Sequence, residues 1–381
     1  MAADSILIFR SELLPPSETF ILEQARTMRS FRPVFAGLKR LPDGLRLSDA
    51  SMIAMSGPDN SIRDRLRRRF FLEARLGPRF LSQLARQFPA LVHSHFAVDA
   101  CLALPISKRL RIPLVVTLHG YDVTRKDEYL RRTAPGRIYL RRRRELWQNA
   151  SLFVCASEYI RRKALARGFP EEKLWVHRIG VDLERFRPRT RAAGPSQMVL
   201  FAGRLVENKG CIHLIRAMAT VQQKLPHARL VILGDGPLRA SLETEARARL
   251  RNCLFAGMQS HFQVRRWMEQ AALLAMPSLE VTSGDSEGLG MVMCEAQALG
   301  LPGIAFRGTG VEEALAQGDS GLLVAPGDEP ALAEAIVRVL TDESLQDSLG
   351  IAGRRNAETR FDLRRQTAIL EDKYREVIGS R

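Results

Sequence analysis

Short apolar runs of three to six residues recur along this chain, each followed by a helix-length segment, and this alternation restricts the fold more than any other feature. In the first half the runs are Ile6–Phe9, Leu91–Phe96, Leu114–Leu118 and Leu152–Ala156. In the second half they are Met198–Ala202, Arg229–Leu233, Leu254–Ala256, Leu273–Met276, Gly303–Phe306 and Gly321–Val324. Strands that are apolar on both faces belong in a parallel sheet covered by helices on each side. Two such series predict an α/β chain with two doubly wound, Rossmann-like domains. A length of 381 residues suits two cores better than one. The break is expected near Arg187–Gln197, where Pro188, Gly194 and Pro195 punctuate a polar run. The expected domains are therefore 1–187 and 188–360, followed by a final amphipathic segment.

Ile6–Phe9 is too short for the apolar core of a signal peptide and reads as a first strand. The longest charge-poor stretch, near Gln87–Ser107, holds His93, His95, Asp99, Pro89 and Pro105, which excludes a membrane span. Cys101, Cys155, Cys211, Cys253 and Cys294 lie inside apolar runs without paired spacing, so reduced thiols in a cytoplasmic protein are expected, and no zinc site.

Charge is distributed unevenly. Residues 1–180 carry 33 Lys and Arg against 17 Asp and Glu, whereas residues 181–381 carry 25 of each. The excess is densest in Arg63–Arg79, with Arg67, Arg68 and Arg69 consecutive, and in Arg125–Arg144, ending in Arg141 to Arg144. A basic face of this kind attracts phosphate-rich partners, such as an anionic membrane surface or a lipid-linked diphosphate. Nucleic acid is not expected, because the arginine clusters lack interleaved aromatics and match no binding module.

In open α/β sheets ligands bind beyond the carboxyl ends of the strands, and the unusual side chains of this sequence lie there. After Ala202 comes Gly203-Arg204-Leu205-Val206-Glu207-Asn208-Lys209-Gly210, two cations at a strand-to-helix turn. Arg grips two phosphate oxygens at once, and Lys serves as a mobile point charge. Gly234-Asp235-Gly236-Pro237 follows the next strand but lacks the full dinucleotide fingerprint. Glu287 precedes Gly288, Leu289 and Gly290, and a helix is expected from Met291 with Glu295 inside it. The free amides of Gly290, Met291 and Val292 can meet a diphosphate. The two carboxylates suit hydroxyl-bearing rings at either end of that diphosphate. In the first half His119 and Asp122 follow Leu118, while His93 and His95 end the preceding strand. Ser17, Glu18 and Thr19 also read as a helix N-cap and first turn.

Together these segments resemble the retaining GT-B glycosyltransferases of glycosyltransferase family four. The resemblance spans nearly the whole chain. It runs through Thr117–Asp122, Val176–Pro188, Gly203–Gly210, Leu233–Pro237, the E-x7-E element Glu287–Glu295 and Gly321–Ile336. It implies two domains facing a central cleft, the first binding the acceptor and the second a nucleotide-sugar. By the same resemblance Arg204 and Lys209 hold the donor diphosphate, Glu287 touches the donor sugar, Glu295 holds the ribose and His119 approaches the transferred sugar. Gly203, Gly234, Gly288, Leu289, Gly290, Met291 and Val292 complete the donor side. The segment 361–381 corresponds to the family's final helix, which packs on the first domain. Ser17–Phe20 looks like the subgroup with colanic-acid and amylovoran-type exopolysaccharide transferases and replaces a Gly-Gly loop of many relatives. On that side Ser17, Glu18, His95 and Asp122 are the expected acceptor contacts, and Glu313 is the matching Glu of the Gly308–Glu313 segment.

The reaction this implies moves a hexose from a nucleotide-sugar, a UDP- or GDP-sugar, to a hydroxyl of a glycan or lipid-linked saccharide with retention at the anomeric carbon. No cofactor and no metal are expected, since no two aspartates are spaced D-x-D. The same architecture also serves epimerases and phosphorylases, though no segment supports a pyridoxal-phosphate lysine.

Overall fold

The computed structural model describes residues 4–45, 51–57, 61–74, 77–188 and 196–380. The chain divides into two compact units: Met1–Gly180 with Leu363–Arg381, and Val181–Asp362. The expected linker falls largely outside the described residues. The division lies at Gly180 rather than at 187, because the chain already bonds within the second unit from Val181. Its N–H donates to the Phe361 carbonyl at 2.6 Å, and the Phe186 carbonyl accepts from Arg354 at 2.7 Å.

Among the described residues the first unit is built on seven parallel strands, β1 (Ser5–Leu13), β2 (Arg32–Arg40), β3 (Ser51–Ala54), β4 (Pro89–His95), β5 (Leu114–Leu118), β6 (Leu152–Cys155) and β7 (Leu174–Val176), in the order β3-β2-β1-β4-β5-β6-β7. The second holds six, β8 (Met198–Ala202), β9 (Arg229–Leu233), β10 (Cys253–Gly257), β11 (Leu273–Met276), β12 (Gly303–Phe306) and β13 (Gly321–Val324), in the order β10-β9-β8-β11-β12-β13. Both are doubly wound sheets whose order reverses beside the first strand, and the crevice at that reversal is where such sheets bind ligands. The reversal falls between β1 and β4 in one unit and between β8 and β11 in the other.

Each sheet is apolar because helices cover both faces. In the first unit Leu7, Phe9, Val34, Val92 and Val116 pack on one side, and Ile6, Ile8, Phe35, Leu91 and Val115 on the other. The final helix, Leu363–Gly379, belongs to this unit. Its Tyr374 is fully buried, and the Glu371 carboxylate accepts the backbone N–H groups of Arg29, Ser30 and Phe31 at 2.9, 2.7 and 3.2 Å. Among the described residues no helix is long and apolar enough to cross a membrane. The five cysteines are free thiols, all buried except the half-buried Cys253.

Candidate active site

In the second unit four strand-end loops are bonded into one surface. The Gly203 N–H donates to the Leu233 carbonyl at 3.0 Å, and Leu205 N–H to Asp235 at 2.9 Å, tying the β8 loop to the β9 loop. Leu279 N–H donates to Asn208 at 3.0 Å and Gly310 N–H to Glu287 at 3.0 Å, adding the loops after β11 and β12. Glycine is required where these backbones touch. A Cβ on Gly234, at φ +127°, would lie 2.0 Å from the Gly203 carbonyl oxygen, and one on Gly310 would lie 1.9 Å from that of Gly288.

This web places Lys209 against Glu287 in an ion pair. The helix Met291–Ala298 starts beside it: Gly290 sits at φ +81° as its N-cap, and the Glu287 Cγ lies 3.7 Å from where a Gly290 Cβ would be. No side chain caps that helix, and Met291 and Val292, as its first two residues, have amides without a helical partner. Arg204 is exposed on the same loop. The arrangement therefore offers two cations and a helix N-terminus, a combination suited to a diphosphate. Glu295 lies within the helix and is buried, and its Oε1 is 2.9 Å from Nε2 of His261. His261 opens the helix after β10 behind a Ser260/Gln263 capping box. Sequence reasoning missed it; a histidine just past a strand end was the available signal.

The first unit assembles a different cluster. β4 turns His93 and His95 to the same face, and Phe96 follows at φ +68°. Nδ1 of His95 lies 2.9 Å from Nε2 of His119, with the rings stacked at 5.2 Å. Burial, followed by the nearby His93, His119 and Arg10, holds His95 well below the ordinary histidine value. Burial, then Arg10 and His93, does the same to His119. Arg10, buried on β1, had no sequence signal: its Nε donates to Glu18 Oε2 at 2.7 Å, it pairs with Asp99, and its guanidinium lies 4.5 Å from the Phe96 ring centroid.

Three of the four expected acceptor contacts are already engaged by partners within the first unit. Glu18 is buried and bound to Arg10, because a carboxylate this close neutralises the cation inside the sheet. Asp122 is buried and accepts the N–H groups of Ala97, His119 and Gly120 at 2.9, 3.3 and 2.9 Å, which fixes the loop and leaves little for a ligand. His95 is buried against His119. Ser17 is exposed, and the helix Thr19–Thr27 begins after Glu18 with no side-chain cap. Glu313 is buried, and its carbonyl accepts from Arg360 at 3.2 Å. Among the described residues no three His, Cys, Asp or Glu side chains gather as metal ligands.

These two sheets and their loops match known proteins. Residues 49–185 match the model of Glycosyltransferase Family 4, and residues 182–356 that of Glycosyl transferases group 1. The amylovoran biosynthesis glycosyltransferase AmsK of Erwinia amylovora is 30% identical over 71% of this chain and 66% of its own. A GDP-mannose-dependent α-(1-6)-phosphatidylinositol monomannoside mannosyltransferase of Mycolicibacterium smegmatis is 30% identical over 73% of this chain and 74% of its own. Anabaena HepE in complex with UDP-glucose superimposes with a TM-score of 0.77, at 20% identity, over 99% of this chain and 100% of HepE. The fold and these matches define a GT-B architecture. The chain belongs to the glycosyltransferases of family four. It spans 61% to 66% of the length of the first curated relatives it matches.

Proposed function

We propose that this protein is a retaining glycosyltransferase that moves a hexose from a UDP- or GDP-sugar to a hydroxyl of a glycan or lipid-linked saccharide in cell-surface polysaccharide synthesis. The observation that carries this reading is the strand-end surface of the second unit, where the Lys209–Glu287 pair lies beside the uncapped helix at Met291 and Arg204 is exposed on the same loop as Lys209. The relatives support the substrate class: one is named for its use of GDP-mannose, and HepE was solved with UDP-glucose. Kinship with amylovoran and colanic-acid transferases supports the acceptor class.

In this mechanism Arg204, Lys209 and the amides of Met291 and Val292 stabilise the charge that develops on the departing nucleoside diphosphate. Each such contact lowers the barrier by on the order of 3 kcal/mol. Glu287 meets the donor sugar and Glu295 the ribose, with His261 fixing the Glu295 carboxylate. His119 is the group of the first unit assigned to the transferred sugar. Asp122, buried and bound to three amides, is a poor base for the opposite face of that sugar. The leaving phosphate then takes the acceptor's proton, and attack on that side keeps the anomeric configuration. No divalent metal takes part. NMR of the isolated product tests this: an α-linked donor gives an α linkage, and a β linkage overturns it.

The first unit meets an anionic membrane surface in the same reading, on the inner face of the cytoplasmic membrane. On the helix Ile62–Ala74, Ile62, Leu66 and Phe70 are exposed at four-residue spacing, so they form one stripe. Arg63, Arg67 and Arg79 line an adjoining groove of about 740 Å³ with Leu66 and Phe70. Apolar residues ringed by arginine fit a lipid headgroup layer. The second basic cluster is partly engaged: Arg143 pairs with Asp127 at 2.8 Å, while Arg141 and Arg144 are exposed.

A further inference from the structure

Alternate residues of a strand share a face, so β4 aligns His93 and His95, with ring centroids 4.4 Å apart. His93 is saturated: Nδ1 lies 2.5 Å from the Tyr374 hydroxyl and Nε2 2.6 Å from Thr117 Oγ1. Its ring lies against that of His95 at a tilt of 32°, and the Nδ1 of His95 meets Nε2 of His119 at 2.9 Å. His119 is boxed in by further rings, Phe96 at 4.6 Å and Phe20 at 5.1 Å. Phe96 is held in turn by Arg10 and by Tyr121, stacked at 5.2 Å. The charged and titratable groups that act on the pair are Arg10 and His93, and the Asp122 carboxylate accepts the His119 backbone N–H; Glu18 and Asp99 are held by Arg10 behind them.

Two neutral imidazoles each carry one N–H, so their shared bond has one donor and one acceptor. Either way Nε2 of His119 is occupied, and Nδ1 is the nitrogen it can offer to a sugar hydroxyl. We propose that His95 is a positioning residue for His119: through the Nδ1···Nε2 bond it locks one ring orientation and one tautomer, and so sets whether His119 Nδ1 donates to or accepts from the sugar. This rests on the reading that His119 meets the transferred sugar. His95 itself touches no substrate.

Three variants and one spectrum test it. His95→Phe keeps the stacked ring and removes the nitrogen; His95→Asn keeps a donor near the place of Nδ1; His119→Ala removes the group being positioned. His95→Phe is expected to lower kcat about tenfold to a hundredfold, as misplacement of a reacting group does, with KM for the nucleotide-sugar unchanged. His95→Asn is expected to recover most of that loss. In ¹⁵N NMR of the parent at pH 7, His119 is expected as a single neutral tautomer, and in His95→Phe as a mixture. Full activity in His95→Phe with loss in His119→Ala overturns the positioning role alone. His119→Ala as active as the parent overturns the reading beneath it. An imidazolium or a tautomer mixture at His119 in the parent overturns the proposal whether or not the variants fold.

Discussion

Replacing Arg10 by Met removes a cation that two buried carboxylates share. Burial works against the Arg10 charge, but Asp99 and Glu18 outweigh it and keep the guanidinium firmly protonated. Without it Asp99 still accepts from Ser11 N–H and Oγ at 2.7 and 2.8 Å, whereas Glu18 loses its bonds to Arg10. Breaking a buried pair by removing one partner costs about 3–5 kcal/mol, chiefly because a desolvated charge is left behind. Loss of the contact with Phe96 adds roughly 1 kcal/mol. Most of the cost falls on Glu18, so Arg10→Met with Glu18→Gln should recover more than about 1 kcal/mol, by removing the orphaned charge. Hydrogen exchange in β1 and β4, compared with β8 and β9, reads the first unit separately from the second. A loss below about 1 kcal/mol in the single variant, or no recovery in the double, would refute this account of Arg10.

Acid should weaken the first unit well before ordinary carboxylates titrate. Burial pushes His93 down to about 3 and His177 to about 4, and holds His95 and His119 low as well. The unfolded chain takes protons near pH 6.5 while the folded one does not, so stability is complete above that pH and falls as pH drops toward the folded values; each histidine costs about 1.4 kcal/mol per pH unit. Asp122, raised by burial, opposes this at lower pH. Hydrogen exchange in β4 between pH 7 and pH 5 checks it, and flat protection would contradict it. Transfer should survive exhaustive EDTA treatment; loss that returns with Mn²⁺ or Mg²⁺ would refute the metal-free mechanism. The protein should bind anionic vesicles and release with salt, at roughly 1 kcal/mol per engaged basic residue. Charge reversal at Arg63, Arg67 and Arg79 that leaves vesicle binding intact removes the proposed contact.

Much of the fold was legible because its strands are apolar on both faces. All six strands of the second sheet stand at their apolar runs, and four of the seven in the first. β2 escaped because Arg32, Lys39 and Arg40 flank its apolar centre, and β3 and β7 because they are short, half-buried strands at the two edges of the sheet. The glycine turns and E-x7-E spacing were local patterns and could be read directly. Arg10 could not be, since an arginine on a strand reads as surface until Asp99, 89 residues away, is seen to meet it. His261 and Glu295 are likewise joined only by the fold, 34 residues apart. For Glu18, Asp122 and His95 the sequence shows a polar residue at a strand or helix end and not the partner each already holds.

The central claim is that the strand ends of the second unit bind a nucleoside diphosphate. Calorimetric titration of UDP and GDP into the parent, Arg204→Ala and Lys209→Ala tests it most directly. The account predicts saturable binding of one of the two nucleotides by the parent, weakened about tenfold to a hundredfold in each variant by loss of a charge-assisted contact. Equal affinity in all three proteins, or no binding of either nucleotide to the parent, would contradict it.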